Sequence, residues 1–278
     1  MKKVIGYLGP KGTYSHEAAM YVGSGCNLLA LESSKFAQAL NDKKIQQAVL
    51  PVVNAINWQV SWVLDLFMSN TSGYEITREI IWDIRSHLIG FGRLEDIKLV
   101  YSHSQPLGQC KGFLGKMSGV KTQETDSTAA AVKLVADFKD PHLAAIGTDH
   151  AARLYGVPVI KGCISDHQEN QTRFVILGGK KSAPTFNNKT TLLFGTTNKP
   201  GALLRVLEIF DALDINMSDL FSMPSPNRRL GECFFLVDVA GHRRDSDLSV
   251  ALGKIRKRTE SLKILGSYPV ATCAANVS

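Results

Sequence analysis

A short polar stretch directly before an apolar run holds the side chains best suited to chemistry. Residues 169–174 read E-N-Q-T-R-F, and V-I-L and two glycines follow at once. Amide, hydroxyl and guanidinium groups all donate hydrogen bonds. In α/β proteins such groups at the mouth of a strand often face a ligand, whereas the alternative interpretation is an ordinary polar loop.

Two predicted helix starts offer a second kind of binding chemistry. Thr13 and Ser15 follow a turn of sequence G-P-K-G, and Ser127 and Thr128 open a later alanine-rich run. Backbone N–H groups at a helix N-terminus can receive an anion. Plain N-capping, by Ser15 at the first start, explains the same residues without a ligand.

The composition of the chain is that of a soluble globular protein. It has 278 residues, of which 44% are hydrophobic and 21% charged; this length suggests about two domains. No apolar run approaches the roughly 18 residues of a membrane helix, and the first residues do not resemble a signal peptide. We therefore predict a cytoplasmic protein without a membrane partner.

The net charge and the spacing of cysteines and histidines indicate which ligands the chain can bind. The net charge of +7 suits either nucleic acid or a small anionic substrate drawn in by a positive field. The densest basic cluster, residues 254–258, is interpreted as a solvated helix face, and basic residues are not interleaved with aromatic ones, so nucleic acid is not expected. The five cysteines never show C-x-x-C spacing and the seven histidines form no H-x-x-x-H pair, which predicts neither a disulfide framework nor a metal site.

The elements that must position these groups alternate between strand-like and helix-like runs. A helix is predicted from Ser15 onward. Apolar runs predict strands at residues 4–8, 48–53, 84–91, 99–101, 144–146 and 174–177. This alternation predicts an α/β fold with mostly parallel sheets, arranged as two lobes that enclose a cleft.

The last third of the chain shows a different order of elements. Residues 180–189 are polar and without periodicity, which predicts a linker. The runs after it predict a strand, a helix, two strands, a helix and a strand at 190–196, 201–213, 217–223, 233–239, 246–259 and 264–268. This βαββαβ order is ferredoxin-like, and we predict domains at residues 1–181 and 190–278.

Six motifs together carry a family likeness. They are G-Y-L-G-P-K-G-T-Y-S-H-E-A-A (6–19), Y-S-H-S-Q-P-L-G-Q-C (101–110), D-S-T-A-A-A (126–131), A-A-I-G-T-D-H-A-A-R-L-Y-G (144–156), N-Q-T-R-F (170–174) and N-K-P-G-A-L-L (198–204). With these motifs in this order, the chain resembles prephenate dehydratase with a C-terminal ACT domain. The resemblance implies a two-lobed, periplasmic-binding-protein-like α/β catalytic domain followed by a ferredoxin-like βαββαβ ACT domain.

The resemblance also implies an activity and residue roles. Prephenate would be converted to phenylpyruvate, water and carbon dioxide without a cofactor, in phenylalanine biosynthesis. The implied catalytic residues are Thr172, Asn54, Gln109 and Ser102. The implied substrate-binding residues are Arg173, Thr13, Ser15, Ser127, Thr128 and Phe174, and the implied effector-binding residues are Gly201, Ala202, Leu203 and Leu204.

The chemistry of two of these residues fits their implied roles. Hydroxide leaves a ring badly unless something donates a proton or a strong hydrogen bond to it. The hydroxyl of Thr172 is a very weak acid, so we expect it to donate a hydrogen bond rather than a proton. The planar guanidinium of Arg173 matches a carboxylate, although a structural salt bridge is the alternative interpretation for this residue.

One wall of the implied site departs from the family pattern. The family's P-I-E-N-S-x-E-G-S-V reads P-V-V-N-A-I-N-W-Q-V at residues 51–60, so two carboxylates and the serine hydroxyl at position 55 are lost and Trp58 replaces a glycine. Lost carboxylates need not weaken binding of a dianion, because like charges repel. A non-aromatising prephenate decarboxylase and a non-catalytic aromatic-acid sensor remain alternatives, as does arogenate in place of prephenate.

The implied effector site departs as well. The family's E-S-R-P motif reads F-S-M-P at residues 221–224, so a bound amino acid has lost a carboxylate and a guanidinium partner. We predict weak, altered or absent phenylalanine feedback. Phe221 and Met223 are predicted to lie in a subunit interface, and the likeness to ACT modules implies a homodimer or homotetramer.

Overall fold

The computed structural model describes residues 2–56, 58–69, 73–167, 169–224 and 233–271. Over these ranges the chain has a mixed α/β fold with three sheets. The strands are β1 Val4–Leu8, β2 Asn27–Leu31, β3 Gln47–Asn54, β4 Trp58–Gln59, β5 Ile76–Asp83, β6 His87–Gly90, β7 Leu99–Ser102, β8 Lys121–Glu124, β9 Leu143–Gly147, β10 Val159–Lys161, β11 Gln171–Gly178, β12 Asn188–Thr196, β13 Met217–Pro224, β14 Cys233–Ala240 and β15 Ser261–Pro269. The helices are α1 Tyr14–Val22, α2 Phe36–Asn41, α3 Ser61–Met68, α4 Ser104–Gln109, α5 Lys111–Leu114, α6 Thr128–Phe138, α7 Asp149–Tyr155, α8 Leu204–Asp211 and α9 Ser246–Arg256.

The first sheet contains the strand that carries the T-R-F motif. Its order is β2-β1-β3-β11-β5, with the short β4 paired to β3. Strand β1 runs parallel to β2 and β3, whereas β11 is antiparallel to both β3 and β5. All residues of β11 except the first are buried, so both faces of this strand are covered and its sequence shows no alternation.

The second sheet forms the other lobe and is joined to the first by two adjacent connections. Its order is β10-β6-β9-β7-β8. The chain crosses between the sheets after β5 and again before β11. The two crossings lie side by side, because the Ile84 N–H donates to the Asn170 carbonyl at 2.7 Å and the Ile164 N–H to the Ser86 carbonyl at 2.9 Å. The space between two lobes joined in this way can hold a ligand.

The third sheet and two helices complete the fold. Strands β12 to β15 and helices α8 and α9 follow one another in the order βαββαβ, and the antiparallel sheet has the order β13-β14-β12-β15. Both helices pack their apolar side chains, among them Val206, Phe210 and Leu248, on the sheet residues Leu192 and Val237.

The third sheet also packs against the first lobe. Phe221 and Met223 are only 7% and 5% exposed, and they belong to one apolar cluster with Val63 and Phe67 of α3. The prediction that these two residues lie in a subunit interface is therefore wrong, because the first lobe of the same chain already covers them. A Cβ added at Gly266 of β15 would lie 2.1 Å from the Ile76 carbonyl oxygen of β5, so only glycine permits this close approach.

Several boundaries differ from the sequence predictions. The first two sheets are mixed rather than mostly parallel, because β11, β6 and β10 all pair antiparallel with their neighbours. The predicted strand at 84–91 is shortened to β6, His87–Gly90, because the chain crosses between the lobes directly after β5 ends at Asp83. The predicted linker ends early, because β12 starts at Asn188.

No helix in the described ranges is long and apolar enough to cross a membrane.

Candidate active site

A cavity of about 300 Å³ lies between the first and second lobes. Strands β1, β3 and β11 contribute one wall, and the starts of α4 and α6 contribute the other. Of the predicted site residues, the structure brings Thr13, Ser15, Asn54, Gln109, Ser127, Thr128, Thr172 and Phe174 together around it. The remaining lining residues are Leu8, Gly9, Tyr14, Pro51, Val60, Ile84, His103, Gln105, Pro106 and Asp126.

Thr172 and Asn54 meet because their strands pair in register. The two residues lie opposite each other on β11 and β3, next to a β-bulge between Arg173 and Phe174; bulges of this kind often re-aim side chains beside active sites. The Asn54 Nδ2 donates to the Thr172 Oγ1 at 2.9 Å. Because this contact uses an acceptor site of the hydroxyl, the hydroxyl hydrogen is left to be donated elsewhere.

The direction of this hydrogen bond follows from the backbone. The Ile56 N–H donates to the Asn54 Oδ1 at 3.1 Å. A backbone N–H can only donate, so the amide oxygen must face Ile56 and the amide nitrogen must face Thr172. The orientation of the Asn54 side chain is thus set by the turn that follows β3.

A buried asparagine extends the chain of amides across the site. Asn170 is 1% exposed; its Oδ1 accepts from the Asn54 Nδ2 at 2.8 Å, and its Nδ2 donates to the Gln109 Oε1 at 3.1 Å. Asn170 was not predicted as a site residue, although it is the first letter of the N-Q-T-R-F motif. It links β3 of the first lobe to α4 of the second, and so connects the two predicted catalytic amides.

Two helices begin at the cavity. The Thr13 Oγ1 accepts from the His16 N–H at 3.4 Å, and the Ser127 Oγ accepts from the Ala130 N–H at 3.0 Å. Both hydroxyls therefore act as N-caps. The prediction that Ser15 is the N-cap of the first helix is wrong, because Thr13 takes that position and α1 begins at Tyr14. A role for these residues in binding stays a prediction.

The loop that leads into α1 is held by the second lobe. The Thr148 Oγ1, at the N-cap of α7, donates to the Gly12 carbonyl at 3.1 Å. The His16 Nδ1 accepts from the Gly12 N–H at 3.1 Å and lies 3.1 Å from the His150 Nε2 of α7. The neutral His16 ring is required here, because protonation at Nδ1 would remove an acceptor that two donors share. This contact ties the position of the loop to the position of the second lobe.

The protonation state of His16 makes this contact sensitive to pH. Burial, together with His150 and Lys11, lowers the pKa of His16 from its usual 6.5 to about 4. The unfolded chain therefore binds a proton before the folded chain does, so stability is complete above about pH 6.5 and is lost as pH falls towards 4. At about 1.4 kcal/mol for each pH unit, the loss of stability is at most about 3 kcal/mol.

We predict that His16→Asn flattens this dependence. The asparagine Oδ1 replaces the Nδ1 acceptor but does not titrate. The measurement is the free energy of unfolding in urea between pH 7.5 and pH 4 for the wild type, for His16→Asn and for His167→Asn, a control at an exposed histidine. We expect only His16→Asn to reduce the slope; equal slopes for all three proteins would contradict the prediction.

Two predicted site residues lie elsewhere. Ser102 is fully buried, and its Oγ donates to the Ile146 carbonyl at 2.8 Å within the second lobe. Arg173 points to the opposite face of β11 from Thr172, where its Nε donates to the Glu79 Oε2 at 2.7 Å. Adjacent residues of a strand face opposite sides, so Arg173 cannot share the cavity with Thr172. Both predictions are wrong, and for Arg173 the alternative of a structural salt bridge is what the structure shows.

The predicted effector residues form a turn before α8. Gly201 has φ +74°, a conformation that favours glycine. Helix α8 begins at Leu204, which is 57% exposed, rather than at Gly201. Ala202 is 8% exposed and Leu203 packs partly against the core below the helices. Effector binding by these residues stays a prediction.

Four further polar lining residues belong to the family motifs but were not predicted as site residues. Tyr14 lines the cavity, and its hydroxyl donates to the Arg85 carbonyl at 2.6 Å in the first crossing. Burial raises the pKa of Tyr14, so the phenol remains a donor. His103, Gln105 and Asp126 line the opposite wall. Their motifs were recognisable, but only the fold shows which of their side chains reach the cavity.

The architecture and the cavity together define a class of protein. A pocket between two α/β lobes, lined by hydroxyl and amide groups and by apolar side chains such as Val60 and Phe174, is the kind of site that binds a small molecule with polar and apolar parts. Among the described residues, no group of three or more His, Cys, Asp or Glu side chains is placed to hold a metal ion.

Comparison with known proteins makes the identification specific. The family model for prephenate dehydratase matches residues 5–182, and the chain belongs to that family. Prephenate dehydratase from Methanocaldococcus jannaschii is 34% identical over 283 residues, a match that covers 97% of this chain and 99% of that protein. The chain is accordingly an enzyme of the hydro-lyase class that acts in phenylalanine biosynthesis.

Solved structures share the fold over nearly the whole chain. Prephenate dehydratase from Arthrobacter aurescens, in complex with L-Phe, has a TM-score of 0.88 at 26% identity and covers 96% of this chain and 90% of its own. GqqA, described as a novel type of quorum quenching acylases, has a TM-score of 0.86 at 27% identity, with 96% and 98% covered. Because one fold can carry different activities, the residues around the cavity must support the function.

Proposed function

We propose that the cavity between the lobes binds prephenate and that Thr172 donates a hydrogen bond to the departing ring hydroxyl. The observation that carries this proposal is the Asn54–Thr172 hydrogen bond, whose direction leaves the hydroxyl hydrogen free to be donated. Thr172 lines the cavity although it is only 7% exposed. A hydroxyl that is held in place by a half-buried amide is a preorganised donor, and preorganised donors stabilise developing negative charge.

The reaction requires the protein mainly to hold the substrate in place and to present a hydrogen-bond donor to the leaving oxygen. When the ring carboxylate leaves as carbon dioxide, the electron pair of the broken C–C bond completes the aromatic ring and expels the hydroxyl. That hydroxyl takes up one proton and leaves as water. A donor aligned with the leaving oxygen stabilises its growing charge, and the chain of amides from Asn54 through Asn170 to Gln109 keeps the donor fixed. The step needs no cofactor.

Helix starts support the binding of the substrate carboxylates. Neither lysine nor arginine lines the cavity within the described residues, and Arg173 is committed elsewhere. The N-termini of α1 and α6 both border the cavity through Ser15 and Thr128. Backbone N–H groups and the helix dipole favour an anion at such positions, so we propose that Thr13, Ser15, Ser127 and Thr128 receive carboxylates and that Phe174 packs under the ring.

We further propose the domain organisation that the motifs implied. The two lobes, residues 1–181, form a periplasmic-binding-protein-like catalytic domain, and residues 190–278 form an ACT domain. Support comes from the paired crossings between the lobes and from the βαββαβ order of β12 to β15. We also propose that the protein forms a homodimer or homotetramer through the ACT module and that it is cytoplasmic.

For the effector we predict weak or absent phenylalanine binding. In the family's second effector motif, Phe221 and Met223 are both buried against α3, so neither supplies a polar group to an amino acid. The L-Phe complex of the Arthrobacter aurescens enzyme makes phenylalanine the ligand to test. Titration calorimetry of the full chain should show no binding tighter than micromolar; a sub-micromolar dissociation constant would refute the prediction.

The altered wall at residues 51–60 makes the product the decisive observation. Val60 and Pro51 line the cavity, whereas Asn57 and the side chain of Trp58 lie outside the described residues. Incubation with prephenate, followed by mass spectrometry, should yield phenylpyruvate, with the enolate absorbance in alkali as a second readout. Carbon dioxide without an aromatic keto acid would instead indicate the decarboxylase, and ligand binding without turnover would indicate the sensor. Parallel incubation with arogenate identifies the preferred substrate.

A further inference from the structure

The side chain of Arg173 leaves the active site and enters a buried ionic cluster shared with the third sheet. Its Nε donates to the Glu79 Oε2 of β5 at 2.7 Å, and its Nη2 donates to the Tyr268 hydroxyl of β15 at 2.8 Å. Its Nη1 lies 2.5 Å from the Asp238 Oδ2 of β14 and 3.6 Å from the Asp219 Oδ2 of β13. One side chain on the strand of Thr172 thus contacts three strands of the C-terminal sheet.

The fourth strand of that sheet joins the same cluster. From β12, Lys189 Nζ lies 3.3 Å from the Glu79 Oε2, and the Thr191 Oγ1 donates to the Asp238 Oδ1 at 2.6 Å. The side chains of Arg173, Glu79 and Asp238 are 10%, 1% and 3% exposed. Solvent screens such buried pairs little, and the loss of one partner leaves an uncompensated buried charge.

The backbone beside Thr172 is paired regularly with β5 on one side, but its pairing with β3 on the other side is irregular. The ladder between β11 and β3 shifts register between Arg173 and Phe174, where Phe174 faces Pro51. Proline has no N–H to donate, and a bulge leaves a residue unpaired. The position of Thr172 opposite Asn54 is therefore held on one face by the site amides and on the other by the side chain of its neighbour.

We infer that Arg173 is a positioning residue through which the C-terminal sheet holds Thr172 in line with the substrate. The inference rests on the proposed role of Thr172 in catalysis. It gives the βαββαβ module a direct part in turnover, because a shift of β14 or β15 relative to the first lobe reaches the reacting hydroxyl through one guanidinium. If Arg173 only stabilised the fold, its replacement would lower the melting temperature without a specific fall in kcat.

The chain offers a matched control for the test. Arg243, which follows β14, also joins the C-terminal module to the first lobe, through an ion pair with Glu75. It lies outside the strand of Thr172. Lysine keeps the positive charge at either position but loses the planar fork that reaches several partners at once. Comparing Arg173→Lys with Arg243→Lys therefore separates an effect on the catalytic strand from a general loosening of the two modules.

The experiment measures kcat and KM for prephenate, and the melting temperature, in the full chain. A displacement of about 1 Å can cost on the order of 100-fold in rate, so Arg173→Lys should lower kcat by about 10- to 100-fold while KM changes less than about threefold. Arg243→Lys should change kcat less than about twofold. An unchanged kcat for Arg173→Lys, or an equal fall for both variants, overturns the inference.

A milder pair of variants keeps the test decisive if Arg173→Lys does not fold. Tyr268→Phe removes one acceptor of Arg173, and Tyr74→Phe removes a hydroxyl that donates to the Leu40 carbonyl at 2.7 Å. Only Tyr268→Phe should lower kcat several-fold; equal values refute the inference. If Thr172→Ala is inactive while Arg173→Lys and Tyr268→Phe turn over normally, the inference alone fails. If Thr172→Ala is active, the proposed role of Thr172 fails and the inference falls with it.

Discussion

Replacing Thr172 with alanine should lower kcat for prephenate by about 100- to 1,000-fold, the usual cost of losing one preorganised donor to a developing charge. Alanine removes one of the acceptors of the Asn54 amide and little volume, so the fold should lose only about 1–2 kcal/mol of stability. Because the donor acts mainly in the transition state, KM should change little.

Steady-state kinetics on three variants test this expectation. Thr172→Ser keeps a hydroxyl and should retain most of the activity. Thr77→Ala is the matched control, because Thr77 is a buried threonine on the neighbouring strand β5 whose Oγ1 donates to the Gly178 carbonyl at 2.8 Å. If Thr172→Ala kept near-normal kcat, the leaving hydroxyl would have to be assisted by another group.

Replacing Asn54 with aspartate should be more damaging than replacing it with alanine. An ionised carboxylate only accepts hydrogen bonds, so the Thr172 hydroxyl would turn its hydrogen towards the new carboxylate and away from the substrate. The new negative charge would also repel an anionic substrate. We expect Asn54→Asp to lower kcat by at least about 100-fold and to raise KM, whereas Asn54→Ala removes only the alignment.

The pH dependence of kcat/KM distinguishes these two effects. Protonation of the new carboxylate restores a donor and removes the charge, so Asn54→Asp should recover activity as the pH falls from 8 towards the pKa of that carboxyl. Asn54→Ala has no such group and should follow the wild-type profile at a lower level. Parallel profiles for the two variants would show that the direction of the Asn54 hydrogen bond does not matter.

Part of the site could be read from the sequence because the motifs preserve residue types. Thr172, Asn54 and Gln109 were predicted as catalytic, and the structure brings all three to one cavity. The order of the C-terminal elements was also predictable, since strands and helices leave different hydrophobic periods and are separated by turn residues. In the first sheet, apolar runs located β1, β3 and β11, with ends shifted by a few residues, whereas β2 and β5 were not predicted.

The wrong predictions for Arg173 and Ser102 have one physical cause, which is that both residues lie on buried strands. Arg173 and Thr172 are adjacent in the motif, but the sequence of β11 is apolar on both faces and does not show which side chain meets the cavity. Ser102 belongs to the same pocket motif as Gln109, yet its strand turns it into the core of the second lobe. Asn170 was overlooked because its partners, Asn54 and Gln109, are 116 and 61 residues away along the chain.

The family, the order of the C-terminal elements and the candidate hydroxyl of Thr172 could be predicted from the sequence, because they follow from local patterns of residue type. Only the tertiary structure decided which face of each strand meets the cavity, that helix N-termini rather than Arg173 border it, and that Arg173 anchors the C-terminal sheet. These outcomes depend on how three sheets pack together. In a strand covered on both sides, no local pattern distinguishes the face that binds substrate from the face that supports it.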